Sequence, residues 1–518
     1  MVSGTLVDAL VSPSRTVEEL YTKACKEGKT NDLPVIVREH FSSIFAGNAL
    51  DQIPLLNTVH PPSAFAPNSL VRFRAMVQDT SCSPEMYLCS SNGLACAGWG
   101  LDADEETVEQ LQAHADSNAL RERDVLWAVN IPGEGHWCDS SRNTPGATSQ
   151  SKSHKFPLPD AAHIAIQLKI YDNTADSLKP TNIHEFIGVL TSEPVHSEFA
   201  EEYDAPTLHI IFHRTLPKTM TLSLPSETES LRVESIRDSL LNWMSSEAFG
   251  GDHDAAEWIL LSCLSSVESR NPPLFPLSVT LSELPKPDAE DIPAISHVLS
   301  ELLSLYFLLP LSLKLLNERS FVPESKDEDL HAGILQVPSD TTIVVTETGI
   351  AEGSLAQKGI ENVQALQEVA KLQTLQYKFP FSQYSFPTDI KFITVTEGKK
   401  SLFLDSNITI PIRSKASSDL YKGKESINWP SPETLYSFRD YIVRAKSAKV
   451  TVGEQLSEHI KNDFVRERQK KGSITPDDLT RWMMIARLIS LSKLEGEMTM
   501  ETWNAAKDLD ARRQTRLR

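Results

Sequence analysis

The stretch whose residue types come nearest to metal-assisted chemistry is Gly333 to Gly349, G-I-L-Q-V-P-S-D-T-T-I-V-V-T-E-T-G. It reads as a turn and a buried apolar strand, Ile343 to Val345, that ends in Thr346 and Glu347. In a nucleoside-triphosphatase such a strand ends in Asp-Glu, because Mg²⁺ is a hard cation that prefers anionic oxygen. Thr346 offers a neutral hydroxyl instead and leaves Glu347 as a lone carboxylate, a group more often solvated or hydrogen-bonded than used as a base.

A triphosphate also needs a loop G-x-x-x-x-G-K-[ST], whose glycines let backbone N–H groups approach the phosphates. No glycine occurs between Gly251 and Gly333. Gly28-Lys29-Thr30 has the right letters, but Lys23 stands where the first glycine belongs and no strand precedes it, so it reads as the loop after a helix. Gly398-Lys399-Lys400-Ser401 follows a strand but carries an extra lysine and lacks the upstream glycine, which makes it a solvated basic turn.

Metal and nucleophile chemistry find no better footing. Cys82, Cys89 and Cys96 are spaced by seven, with His136 and Cys138 in a later loop, and none of these spacings is C-x-x-C. Small buried thiols are the simpler reading. His184-Glu185 lacks a second histidine four positions on, and no G-x-S-x-G elbow appears. The residues therefore lead us to expect no catalytic, cofactor-binding or metal-ligating set.

Several elements must position these groups. The chain has 518 residues, enough for roughly two to four domains. Residues 1–60 read as helical: Thr16 and Glu19 form a capping-box pattern, Gly28 suits a helix end, and Ile36, Val37, His40, Phe41, Ile44 and Phe45 share one side. The period then changes. Val71, Phe73, Ala75 and Val77 alternate with Arg72, Arg74 and Met76, the pattern of a half-buried strand. Further strands at Val125 to Val129, Ala165 to Tyr171, Phe186 to Leu190 and Leu208 to Phe212 predict a small barrel or sandwich. Ser140 to His154 is polar and turn-rich, a loop or disordered insertion within that region. From Thr219 the reading is mixed α/β, with a helix at Leu231 to Met244, a helix at Ala255 to Val267 capped by Asp254, and strands at Leu277 to Leu281, Thr342 to Val345 and Ile390 to Val395. The last ninety residues return to helices, with Thr475 as N-cap and Pro476 at the first helical position.

Fifty Lys and Arg against seventy Asp and Glu give a formal charge of −20, which opposes non-specific attraction to a nucleic-acid backbone and favours protein partners. Arg72 and Arg74 are the residues through which a single strand of nucleic acid would be held, if the β region bound one. Six cysteines without close pairs fit a reducing compartment. Ala294 to Leu316 is apolar, but Glu301, Pro310 and Lys314 interrupt it; a buried helix ending before Pro310 is expected, with no membrane span.

V-R-F-R-A-M-V-Q-D (71–79), I-P-G-E-G-H-W (131–137), F-P-L-P (156–159), H-E-F-I-G-V-L-T-S-E-P (184–194), G-I-L-Q-V-P-S-D-T (333–341) and the C-terminal I-T-P-D-D-L to A-R-R-Q-T-R-L resemble, in the same order, the mini-chromosome maintenance complex-binding protein family. The resemblance runs from about residue 30 to 517. It implies a nuclear protein that binds subunits of the replicative MCM helicase during DNA replication, takes part in the helicase's assembly or release from chromatin, and supports sister-chromatid cohesion through the cell cycle and cell division. It implies a multidomain α/β architecture: a helical region at 1–60, an OB-like β domain at 61–218 with the polar loop 140–154, a degenerate AAA+-like α/β domain at 219–430 without a phosphate loop, and a helical lid at 431–518.

Relatives in the helicase carry an Asn after the strand that corresponds to Ile390 to Val395; here Thr396-Glu397 follow. Their Ser-Arg-Phe-Asp arginine has no match between 397 and 430, where Arg413 stands alone, and Asp477 occupies the place of a phosphate-sensing arginine. The resemblance thus implies a pseudo-ATPase with no cofactor, which touches chromatin through the helicase and makes no sequence-specific contact with DNA itself. Arg466 to Lys471 and Arg512 to Arg518 suit either nuclear import signals or favourable charges near helix C-termini.

Overall fold

A computed structural model describes residues 4–90, 96–101, 119–138, 153–158, 161–195, 203–216, 230–287, 291–348, 350, 352–415, 417–471 and 474–518. Most of the polar loop 140–154 lies outside them.

Three helices open the chain, α1 (Gly4–Val11), α2 (Pro13–Glu27) and α3 (Leu33–Ile44). Gly28 ends α2 at φ +68, the left-handed residue expected there. The start of α2 differs from expectation: Pro13 opens it after Ser12, and Thr16 lies inside, its hydroxyl donating to the Ser12 carbonyl. Pro13 outranks the capping box because its missing N–H costs nothing at a helix start. Val17, Tyr21, Val37 and Phe41 bury against Leu70, Ile187, Val189 and Ile211, so these helices cover the outside of the sheet that follows.

That sheet closes on itself. Its principal strands are β1 (Ser69–Asp79), β2 (Leu120–Asn130), β3 (Ala165–Ile170), β4 (Ile183–Val195) and β5 (Tyr203–Thr215). Antiparallel β1–β4, β4–β5, β3–β2 and β2–β1 ladders and a parallel β5–β3 pair complete the circuit. Val71, Phe73, Ala75 and Val77 point inward with Leu126, Ile166, Leu168, Phe186 and Leu208, as the alternation predicts. All five strands read from sequence are present; four are longer than expected because polar residues extend the ladders, and Ala165–Ile170 stops one residue before Tyr171.

Mixed α/β structure follows: α4 (Ser230–Ala248), α5 (His253–Leu264), β6 (Val279–Ser282), α6 (Ala294–Leu302), β7 (Tyr306–Pro310), α7 (Leu313–Glu318), the short strands β8 (Glu324–Lys326) and β9 (Asp329–His331), β10 (Thr341–Thr346), α8 (Gln357–Leu372), β11 (Thr374–Phe379), β12 (Ser382–Pro387), β13 (Ile390–Val395) and β14 (Ile408–Pro411). Five of these strands make an all-parallel sheet in the order β7-β10-β13-β6-β14. Its strands are buried on both faces, Val344 and Ile393 toward one core and Ile343 and Phe392 toward another. Four helices end the chain, α9 (Pro432–Ser447), α10 (Glu454–Lys471), α11 (Pro476–Ser492) and α12 (Met500–Arg516), and they share one core with α4 to α6 and the sheet.

Two further expectations are corrected. Asp252, not Asp254, caps α5, accepting from the Ala255 N–H at 3.2 Å. The apolar run from Ala294 is two elements: the helix stops at Leu302, and Tyr306–Pro310 is a strand. Its β-strand half pairs with β10 in the buried sheet, and this tertiary pairing overrides local helix propensity. Among the described residues no helix is long and apolar enough to cross a membrane.

The barrel and the α/β body are joined by backbone. The Gly135 N–H donates to the Ser304 carbonyl (2.8 Å) and the Tyr306 N–H to the Gly133 carbonyl (2.8 Å). Buried Gln336 donates to the Gln78 carbonyl (2.7 Å), and Gln78 returns a bond to the Leu330 carbonyl (3.1 Å). Gly133 sits at φ +72 with the Tyr306 carbonyl oxygen 3.0 Å from where a Cβ would lie, so glycine is needed for this approach.

Candidate functional site at the carboxyl ends of the parallel strands

In an open parallel sheet, ligands bind outside the carboxyl ends of the strands where the order reverses. The first strand, β6, lies between the fourth and the fifth, and α6 follows it, so a phosphate loop would have to span residues 283–293. That segment has no glycine and carries Pro285, Pro287 and Pro293, which have no N–H to offer. Its first two amides are already engaged: Glu283 donates to the Gly398 carbonyl (3.1 Å) and Leu284 to the Thr396 carbonyl (3.2 Å). The Thr396 N–H in turn donates to the Leu281 carbonyl (3.0 Å), which knits the ends of β6 and β13 together. The Tyr421 hydroxyl donates to the Pro285 carbonyl (2.9 Å). Burial, then repulsion from Glu397 and Asp291, push the Tyr421 phenol up to about 12. The same negative surroundings oppose a triphosphate.

Glu347 follows β10 and is buried at 6 % exposure. Its carboxylate accepts from the Ser401 hydroxyl (2.6 Å) and from the backbone N–H groups of Leu402 (3.0 Å) and Phe403 (3.2 Å). The group therefore holds the turn after β13 rather than facing an open site. Thr346 is buried, and Thr396 accepts from the Gly398 N–H through its own hydroxyl (3.3 Å). Lys399 and Lys400 are exposed, as expected of a basic turn.

The other singled-out residues are dispersed. Arg413 contributes its backbone N–H to Asp252 (2.9 Å). Asp477 is an exposed first-turn residue of α11; its neighbour Asp478 completes a capping box with Thr475, the N-cap expected there. Arg72 pairs with Asp51 (3.0 Å) and Glu185 (3.5 Å), and Arg74 with Glu134 (3.2 Å), so both guanidinium groups have carboxylates against them. Arg516 bridges Asp252 (2.6 Å) and Asp254 (2.7 Å), and Arg512 reaches Asp254 (3.0 Å), which ties the C-terminal basic run to the start of α5. Cys89 and Cys96 face each other across an isolated antiparallel bridge, and none of the six cysteines is in a disulfide.

The joint is not legible in the sequence. Gln78 and Gln336 sit far apart in the chain and announce nothing by spacing; the glycines of I-P-G-E-G-H-W were the available signal.

A closed β barrel fused to a parallel α/β body, in which the first two residues after β6 are bound by backbone hydrogen bonds to the turn after β13, defines the class of protein. The family model described as mini-chromosome maintenance replisome factor matches residues 41–153 and 139–517, and the chain belongs to that family. It is 26 % identical over 579 residues to the mini-chromosome maintenance complex-binding protein of Arabidopsis thaliana, covering 96 % of this chain and 95 % of that one. The proteins of the same name from Homo sapiens (25 % over 619 residues, 95 % of each chain) and Gallus gallus (25 % over 591 residues, 91 % and 92 %) are similar along their length.

Proposed function

We propose that this chain is a non-catalytic binding protein of the MCM helicase complex, acting in the nucleus on the helicase's assembly or its release from chromatin, with a part in sister-chromatid cohesion. The observation that carries the reading is near full-length similarity to relatives whose names state that they bind this complex. In this account the barrel is OB-like, a five-stranded Greek-key design. The parallel body is a degenerate AAA+-like domain, and the closing helices are its lid.

The resemblance to helicase subunits supports a mechanism of mimicry. A pseudo-subunit presents an edge of the subunit type to one neighbour of the ring and competes for it. It holds that neighbour before assembly or displaces it afterwards. Engaged Glu347 and the glycine-free segment 283–293 support binding without hydrolysis. Mixing the purified chain with each helicase subunit in turn and resolving complexes by size tests this: a stoichiometric complex with at least one subunit is expected, and failure to associate with every subunit would sink it.

A further inference from the structure

We propose that His154, Asp329 and His331 form a binding site for a divalent transition-metal cation of the zinc class. One ligand atom from each residue lies within 4.8 Å of the other two. Two imidazoles and one carboxylate are the donor set of open zinc sites, with the remaining positions left to water.

The fold supplies these donors from two directions. Asp329 and His331 flank Leu330 on β9; successive side chains of a strand alternate, so both point away from the core that takes Leu330. His154 comes from the turn Ser153–Lys155, fixed by the Ala332 N–H donating to the His154 carbonyl at 2.7 Å. The two imidazoles lie 4.4 Å apart between centroids, tilted by 31°. His154 Nε2 is 2.7 Å from Asp329 Oδ2, so a cation would replace a shared proton.

The charges around the site favour a cation. Lys155 Nζ lies 2.5 Å from Asp329 Oδ1, on the carboxylate oxygen turned away from His154, and 2.9 Å from Asp79. Asp79 offsets that lysine and leaves the charge of Asp329 for the site. Lys326, the next cation along the hairpin, is paired with Glu324 at 3.1 Å. The side chains of His154 and Asp329 remain 27 % and 30 % exposed, enough for an ion to enter. A bound ion would pin the turn at 153–155 to the β8–β9 hairpin, beside the Gln78 bond to Leu330.

Titration of the chelator-stripped full chain with Zn²⁺ by calorimetry, and with Co²⁺ by visible absorption, tests this. One equivalent should bind, the cobalt spectrum should lack thiolate charge-transfer bands, and affinity should fall at least about tenfold in both His331→Gln and Asp329→Asn. Melting curves of the metal-free variants show whether each is folded, and Zn²⁺ should raise the midpoint of the wild type alone. Absence of saturable binding, unchanged binding in both variants, or a thiolate band would overturn the assignment; if one variant does not fold, the other and the cobalt spectrum decide.

Discussion

Glu347 shows how little a residue's type says about its task. Its position after a buried strand is that of a catalytic base, yet its oxygens are occupied by Ser401, Leu402 and Phe403. Glu347→Gln keeps the shape and removes the charge, so it should cost about 1–3 kcal/mol in urea unfolding. His184 gives a pH prediction. Neither ring nitrogen has a hydrogen-bond partner among the described residues, and burial, then His213, push it down to about 4. The unfolded chain takes up this proton near 6.5, so it binds more protons than the folded chain between about 4 and 6.5. This contribution is fully present above about pH 6.5 and is lost as pH falls toward 4. His184→Phe should flatten that part of the acid-side decline in urea midpoints; an unchanged decline would contradict the assignment.

Elements were legible where period and punctuation agreed. The barrel strands followed from alternation around Val71 to Val77, and α11 from Thr475 and Pro476. They were less legible where partners decide: Tyr306–Pro310 is a strand because β10 lies beside it, and the N-cap of α5 is Asp252 because Arg516, at the far end of the chain, also holds that carboxylate. The basic C-terminus is therefore tied to the fold at Arg516, whose side chain is 9 % exposed. Arg516→Ala should lower stability by about 2–3 kcal/mol through the loss of charge-assisted bonds to a helix start. A change below about 0.5 kcal/mol in thermal or urea unfolding would mean the ion pair is idle.

Across the whole molecule, several motifs that carry the family resemblance hold the barrel against the α/β body. I-P-G-E-G-H-W supplies the Gly133 and Gly135 contacts, and G-I-L-Q-V-P-S-D-T supplies Gln336. Gln336→Ala strips a buried donor from the Gln78 carbonyl and should cost about 1–3 kcal/mol. Hydrogen exchange should quicken on both sides of the joint, near residues 77–79 and 330–336; exchange confined to one side would show that the two bodies are not coupled there. The polar candidate site could be read from missing glycines, but its closure could not, because the bonds of Glu283 and Leu284 to β13's following turn link distant segments. We propose that this frame binds its partners without a nucleotide. Calorimetric titration of the purified chain with Mg-ATP tests it most directly: no saturable heat is expected up to millimolar nucleotide, whereas one equivalent of binding that Glu347→Gln abolishes would contradict it.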